Sequence, residues 1–335
     1  MRRASVWLAV LMLVSACARP VQPLPPTPTA QPTPVPRVEF PRDALPHDAL
    51  TEWWYYTGHL STDNARAYAF EFTVFQVRRQ NAPTGYLAHF AITDVQGQRF
   101  SHQARFAQGE ARTAFPIDIG GWTLDADSFD ATMQPGPGVE VPYGLRLRMV
   151  DQKPPALHHG GFIDMGAPGG SYYYSRTRLA VDGELGTQHV SGLAWMDHQW
   201  GDFVIAGGGG WDWYSLQLDD RSELMLYVIR DASGQLTGVF GTEVRPDGTV
   251  QDLEPNAVQA IATSTWTSPH TQAVYPSGWR LLLPTGERLE IEPVLQDQEL
   301  YFPGFGGTIY WEGAVRVEGD RRGVGYVELT GYAGS

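Results

Sequence analysis

The sequence predicts an all-β protein built of two tandem antiparallel barrels, and three observations carry that expectation. Short runs of alternating apolar and polar residues, such as Tyr68-Ala-Phe-Glu-Phe-Thr-Val-Phe-Gln-Val77, recur between Gly, Pro, Asn and Asp turns with almost no helical periodicity. Aromatic and glycine signatures then repeat in order. Trp53-Trp54-Tyr55-Tyr56 is echoed by Trp211-Asp212-Trp213-Tyr214, Gly121-Trp122 by Gly278-Trp279, Tyr173-Tyr174 by Tyr310-Trp311, and Gly192 by Gly325. Finally, each half has the size of an up-and-down barrel of about eight strands, whose interior can hold one small apolar ligand.

The elements follow in chain order. Residues 1–17 read as a signal peptide: Arg2 and Arg3, an apolar run from Val6 to Val14, then Ser15-Ala16-Cys17 as a lipobox. The run is too short to span a bilayer, which takes about 20 apolar residues. Cys17, the only cysteine of the 335 residues, is thus expected to carry the lipid that anchors the chain outside the membrane. With that thiol acylated, no disulfide or thiolate site remains. Residues 18–47 hold ten prolines between Pro20 and Pro46 and read as an extended, disordered tether. The repeat divides the rest into domains over 48–205 and 206–335. Further strands are expected at Tyr143 to Val150, Tyr172 to Val181, Ser215 to Leu218, Glu223 to Arg230, Arg280 to Leu283, Arg288 to Val294, Thr308 to Val317 and Gly325 to Thr330. A formal charge of −13 disfavours nucleic acid as a partner.

Function is sought first in Trp195-Met-Asp-His-Gln-Trp-Gly-Asp202, an octet that gathers two acids and a histidine with two tryptophans. Charge of this kind is costly to bury unless paired or neutralised. On a strand Trp195, Asp197 and Gln199 share one face, while Met196, His198 and Trp200 share the other. A histidine beside an indole can act as base or acid in an apolar pocket, and the indole face can stabilise a cation. The structural alternative is a domain junction in which the acids cap turns and the tryptophans pack. Glu52 to Leu60 forms a strand aromatic on both faces, with Glu52 and Trp54 on the same side. His158-His159-Gly160-Gly161 and the glycines from Gly166 to Gly170 suggest a loop acting as a lid. Adjacent histidines on a strand diverge and lack a third ligand at diagnostic spacing, so no metal site is expected. Gly207 to Gly210 opens a strand and not a helix, and no Gly-x-Ser-x-Gly elbow occurs. No cofactor is expected.

Glu52-Trp-Trp-Tyr-Tyr-Thr-Gly-His59, His89-Phe-Ala-Ile-Thr-Asp94, Ser171-Tyr-Tyr-Tyr-Ser-Arg-Thr-Arg178, Trp195-Met-Asp-His-Gln-Trp200, Gly210-Trp-Asp-Trp-Tyr-Ser-Leu-Gln-Leu-Asp219, Leu224-Met-Leu-Tyr227, Tyr310-Trp-Glu-Gly-Ala-Val315 and Gly325-Tyr-Val-Glu-Leu-Thr-Gly-Tyr332 together resemble the family that contains carotenoid 1,2-hydratase, the AttH-like proteins and a group of predicted secreted hydrolases. The resemblance spans the whole globular body. It implies two lipocalin-like barrels with a pocket near their junction, and hydration of a terminal isoprenoid double bond in the characterised branch. The catalytic His-x-Trp of that branch matches His198 and Trp200; its tyrosine and aspartate from the following domain have Tyr227 and Asp231 as candidates here. Gln199 stands where the hydrolase-labelled branch has a glutamate, so a carboxylate role is lost at that position.

The leading expectation is a lyase-type enzyme that adds water to an apolar isoprenoid or lipid-like substrate. Asp197 would protonate the alkene, Trp200 stabilise the cation, and His198 position or deprotonate the water. Glu52, Trp54, Tyr174, Trp195, Trp213, Tyr227 and Asp231 are expected to line the ligand site. The rival is a non-catalytic carrier of a lipid or pigment; ester or amide hydrolysis stands third, for want of a nucleophile with its base.

Overall fold

In the computed structural model the described residues are 36–164, 169–203, 209–302 and 309–333. The signal segment, Cys17 and the tether to residue 35 lie outside them. So do the expected domain boundary at 205/206 and most of the glycine run expected to act as a lid.

The first sheet contains β1 (Thr51–Thr62), β2 (Ala67–Val77), β3 (Thr84–Asp94), β4 (Arg99–Gly109), β5 (Ile117–Ile119), β6 (Trp122–Asp125), β7 (Ser128–Thr132), β8 (Gly144–Asp151), β9 (Ala156–Asp164), β10 (Gly170–Leu185) and β11 (Gln188–Gly201). Their order is β4-β3-β2-β1-β11-β10-β8-β7-β6-β5, with β9 added beside β10, and every pairing is antiparallel. Side chains of β4 reach across to the far end of this path: Gln103 Nε2 donates to the Gln134 carbonyl at 2.9 Å and Arg105 to that of Thr132 at 3.1 Å. The sheet therefore curls towards a barrel.

The second sheet repeats the plan. It contains β12 (Gly210–Leu218), β13 (Glu223–Arg230), β14 (Leu236–Val244), β15 (Val250–Leu253), β16 (Gln259–Ala262), β19 (Trp279–Leu282), β20 (Arg288–Pro293), β21 (Glu299–Leu300), β22 (Tyr310–Gly319) and β23 (Gly323–Thr330), with a small hairpin of β17 (Thr265–Thr267) and β18 (Val274–Pro276) beside it. The order β15-β14-β13-β12-β23-β22-β20-β19-β16 matches the first sheet strand for strand from β4 through β7. Two lipocalin-like barrel units result. Three of the four sequence echoes fall on equivalent strands: β1 with β12, β10 with β22, and β11 with β23. The fourth does not, because Trp122 stands on β6 while Trp279 stands on β19, one strand nearer the centre of its sheet.

Period-two alternation explains both cores. Trp54, Phe70, Phe72, Phe90, Trp122 and Phe129 fill the first barrel, and Tyr214, Leu226, Trp279, Leu281, Trp311 and Leu329 fill the second. The opposite faces of the central strands are also buried, because the barrels pack wall to wall through them. Tyr55, Tyr173 and Trp195 of the first meet Trp213 and Met225 of the second, and Ala69 meets Ala314 and Tyr326.

Residues 38–47, expected to belong to a disordered tether, are folded onto the first barrel. Val38 enters the first core, a 3-10 turn spans Arg42–Ala44, and Asp43 accepts the backbone N–H of Glu39 at 2.7 Å. The proline-rich composition concealed this segment because its few apolar residues dock onto a preformed barrel end and need no core of their own.

Candidate active site

Two separate clusters of ionisable groups emerge, one inside the first barrel and one between the barrels. Strand alternation divides them along β11: His198 and Trp200 face inward, while Trp195, Asp197 and Gln199 face the second barrel. Asp197, His198 and Trp200, expected to act together, therefore do not share a cavity.

The inner cluster is built on Glu52 and His198, both fully buried. Nε2 of His198 lies 2.8 Å from Oε1 of Glu52, and Nδ1 lies 3.2 Å from the Tyr174 hydroxyl. His47 adds its Nδ1 at 2.8 Å from the same Oε1, while its backbone N–H donates to Oε2 at 2.9 Å. Gln76 donates to Oε2 at 3.1 Å and accepts the Tyr86 hydroxyl at 2.8 Å. Aromatic rings enclose the group: Trp54 stacks on His198 at 4.9 Å, and Trp200 is stacked on by His47 at 4.0 Å and by Tyr172 at 5.3 Å. Burial favours the neutral forms, and it pushes His198 down despite its bond to Glu52. For Glu52 the hydrogen bonds from His198 and His47 outweigh burial and leave its carboxyl below the usual range. A rim pocket of about 400 Å³ opens beside this cluster at the end of β11, lined among others by His47, Phe162, Tyr172 and Trp200.

The inter-barrel cluster is a set of carboxyls among aromatic rings. Tyr55 donates to Oε1 of Glu312 at 2.6 Å across the barrel boundary, and Glu312 stands directly opposite Glu328 on β22 and β23. Like charges at such a position repel. Glu71 accepts the Thr73 hydroxyl from within its own strand. Oε2 of Glu71, Oε2 of Glu312, Oε1 of Gln199 and Nε1 of Trp213 are buried without a hydrogen-bond partner. Burial, reinforced by the charge of Glu328, raises Glu312 well above the carboxylate range and Glu71 to about 8. Burial together with the charges of Asp197 and Asp212 raises Glu328 to about 7. Asp197 rises to about 6 through burial, against the donors Ser175, Tyr173 at 2.7 Å and Trp195 at 2.6 Å. Glu328 and Tyr227 stand beside these groups, each half-buried, on either side of Trp213 in the β23-β12-β13 pairing.

Of the ligand-lining residues expected from sequence, Trp195, Trp213 and Tyr227 meet in the aromatic cluster between the barrels, with Trp195 and Trp213 edge to face at 6.1 Å. Glu52, Trp54 and Tyr174 instead belong to the inner cluster around His198. Asp231 belongs to neither. It is exposed in the turn after β13, where Oδ1 accepts the N–H groups of Ser233 and Gln235 at 2.8 and 3.0 Å, so its role is to hold a turn. His158 is no part of a lid: it is buried on β9, 2.7 Å from Ser175 and 3.0 Å from Thr242 of the second barrel. Sequence reasoning passed over His47, hidden in the proline-rich stretch, and Glu71, Glu312 and Glu328. The available signal for the three acids was the apolar company on their own strand face, such as Tyr310 and Ala314 flanking Glu312.

Comparison with known proteins agrees with this architecture. The AttH-like family model matches residues 31–332. The crystal structure of an AttH protein from Nitrosomonas europaea is similar at 30% identity and a TM-score of 0.80, covering 90% of this chain and 99% of its own. Kievitone hydratase from Nectria haematococca shares the fold at 16% identity and a TM-score of 0.66, over 88% of this chain and 93% of its own. None of the curated proteins matches the sequence. A match along almost the whole globular body, with the paired barrels superposing on a 30% identical structure, makes this chain a member of the AttH-like family.

Proposed function

We propose that the protein is a hydratase-type lyase adding water across a C=C bond of an apolar, isoprenoid or lipid-like molecule held between its two barrels. Glu328 carries this reading: a half-buried carboxyl that burial raises to about 7, standing beside Trp213 where that ring meets Tyr55 and Tyr227 at the boundary of the barrels. The ideal general acid has its pKa close to the working pH. Protonated Glu328 gives its proton to one alkene carbon, and the π electrons form the new C–H bond. The cation left on the more substituted carbon is stabilised by the indole and phenol faces and by ionised Asp197. Water adds to it, and the oxonium returns a proton to the Glu328 carboxylate, closing the cycle. Asp197, expected from sequence to be the acid, is better suited to remain charged, because three donors already point at its oxygens. His198 and Trp200 lie on the opposite face of β11, inside the first barrel. The hydratase among the structural neighbours is consistent with this chemistry.

Incubation in heavy water with a panel of terminal-alkene isoprenoids and prenylated phenols tests the reading. Wild type should place deuterium on carbon and add one water, and Glu328→Gln should lower the rate by about 10²–10⁴-fold. Tightly bound ligand recovered unaltered from wild type, with no deuterium incorporated from any panel member, would assign the chain to the carriers instead.

We further propose that the chain works as a lipoprotein outside the cytoplasmic membrane, or in another envelope membrane, tethered through Cys17 where an apolar substrate can be drawn from the bilayer. Labelling with a palmitate analogue should mark the wild type and not Cys17→Ser; equal labelling of both would remove the anchor from this picture.

A further inference from the structure

We propose that His47, Glu52 and His198 form a binding site for a divalent transition-metal ion of the zinc class inside the end of the first barrel. Nδ1 of His47 and Nε2 of His198 each lie 2.8 Å from Oε1 of Glu52, and the three ligand atoms fall within 4.8 Å of one another. Two imidazole nitrogens and one carboxylate oxygen are a donor set that zinc and its neighbours accept, with a position left open.

The outer partners are those a metal site needs. A ligating histidine is normally fixed through its second nitrogen. Nδ1 of His198 has the Tyr174 hydroxyl at 3.2 Å, and Nε2 of His47 has Oδ1 of Asp43 at 3.5 Å. Gln76 and the His47 backbone N–H hold Oε2 of Glu52 at 3.1 and 2.9 Å; the same N–H also reaches Oε1 at 3.1 Å, so Oε1 is oriented by the backbone and presents its remaining lone pair to both imidazoles.

His47 makes the strongest case. Its ring stands between two carboxylates, Glu52 on one nitrogen and Asp43 on the other, and Nε2 is buried without a hydrogen bond. With the proton on Nδ1, the bare Nε2 lone pair would face the Asp43 carboxylate. A metal on Nδ1 moves the proton to Nε2, where it points at Asp43, so the same atoms become complementary. Glu52 and His198 are fully buried, whereas His47 also lines the rim pocket of about 400 Å³. A fourth ligand, water or an oxygen of a small molecule, would enter past His47. Spacing along the chain could not reveal this set, because residues 47, 52 and 198 meet only through the pairing of β1 with β11.

The test uses untagged full-length protein, stripped with a chelator and titrated with Zn²⁺ by calorimetry and with Co²⁺ by visible absorption. The expected result is one equivalent bound, a Co²⁺ band of four- or five-coordinate intensity, and an affinity lowered about 10–100-fold in Asp43→Asn. His47→Ala should abolish the band; where that variant loses its native circular dichroism, Asp43→Asn alone decides. No stoichiometric binding by wild type, or binding that these variants leave unchanged, would overturn the site. The readout is metal binding, so it stands or falls independently of alkene hydration.

Discussion

Glu223→Gln is expected to destabilise the protein by about 3–5 kcal/mol, read as a lowered urea midpoint, because it strands two buried cations. Glu223 on β13 has no exposed surface and receives Lys153 at 2.7 Å, Arg178 at 2.5 Å and the Thr177 hydroxyl at 3.2 Å. All three donors come from the first barrel. Lys153 also donates to the Arg245 carbonyl at 2.7 Å, and Arg178 to that of Leu218 at 2.9 Å, again across the boundary. The substitution keeps the shape and removes only the charge, so packing loss does not enter. Lys153→Met should cost less, since it leaves Arg178 and Glu223 as a neutral pair. A Glu223→Gln loss below about 1 kcal/mol would mean that water screens the three groups as on a surface.

That clamp belongs to a surface that strand alternation alone assigns to solvent, and this explains what could and could not be read from the sequence. The inward faces were legible because their residues are large and apolar and recur at period two, as in Tyr68, Phe70, Phe72 and Val74. The split of Trp195, Asp197 and Gln199 from His198 and Trp200 followed from the same rule and holds. What alternation cannot supply is the fate of an outward face. Glu71 between two phenylalanines, or Glu328 between Val327 and Leu329, has the pattern of an acid on the wet side of a barrel wall. Only the packing of one wall on the other turns these positions into an interior. Tyr55, Ala69 and Tyr326 on those faces are the residues that needed a second surface to cover them. The joint role given to Asp197 and His198 failed for the same reason. Neighbours in sequence on a strand that is buried on both sides belong to different interiors.

Stability should rise and fall with pH through two sets of buried groups, with opposite signs. Glu71 is fully buried and raised to about 8 by burial, and Glu328 to about 7, against an ordinary value of 4.5. A folded state that holds its protons above the unfolded pKa is stabilised fully below about pH 4.5. That contribution is lost as pH climbs towards 7 for Glu328 and 8 for Glu71. For Glu71, which faces Tyr310, Tyr326 and the carboxyls of Glu312 and Glu328, the loss is on the order of 5 kcal/mol if nothing relaxes. His89, His102 and His158 act the other way: burial lowers them to about 3, 4 and 3 from 6.5. Their contribution is complete above pH 6.5 and disappears as acid forces protons onto rings whose partners, such as Tyr310 on His89 and Ser175 on His158, lie inside the fold. Between 4.5 and 6.5 the two trends oppose one another. Above 6.5 the raised carboxyls act, and below 4.5 the imidazoles act together with the lowered carboxyls of Glu52 and Asp43, which lose stability in the same direction as acid is added. Urea midpoints measured from pH 4 to 9 should therefore pass through a maximum near pH 5–6.5, with a falling limb up to about pH 8. Glu71→Gln should make that alkaline limb shallower while leaving the acid limb in place. A flat wild-type profile from pH 6.5 to 8.5 would mean that the inter-barrel carboxyls are hydrated and ionised, and the acid assigned to the hydration step would go with them.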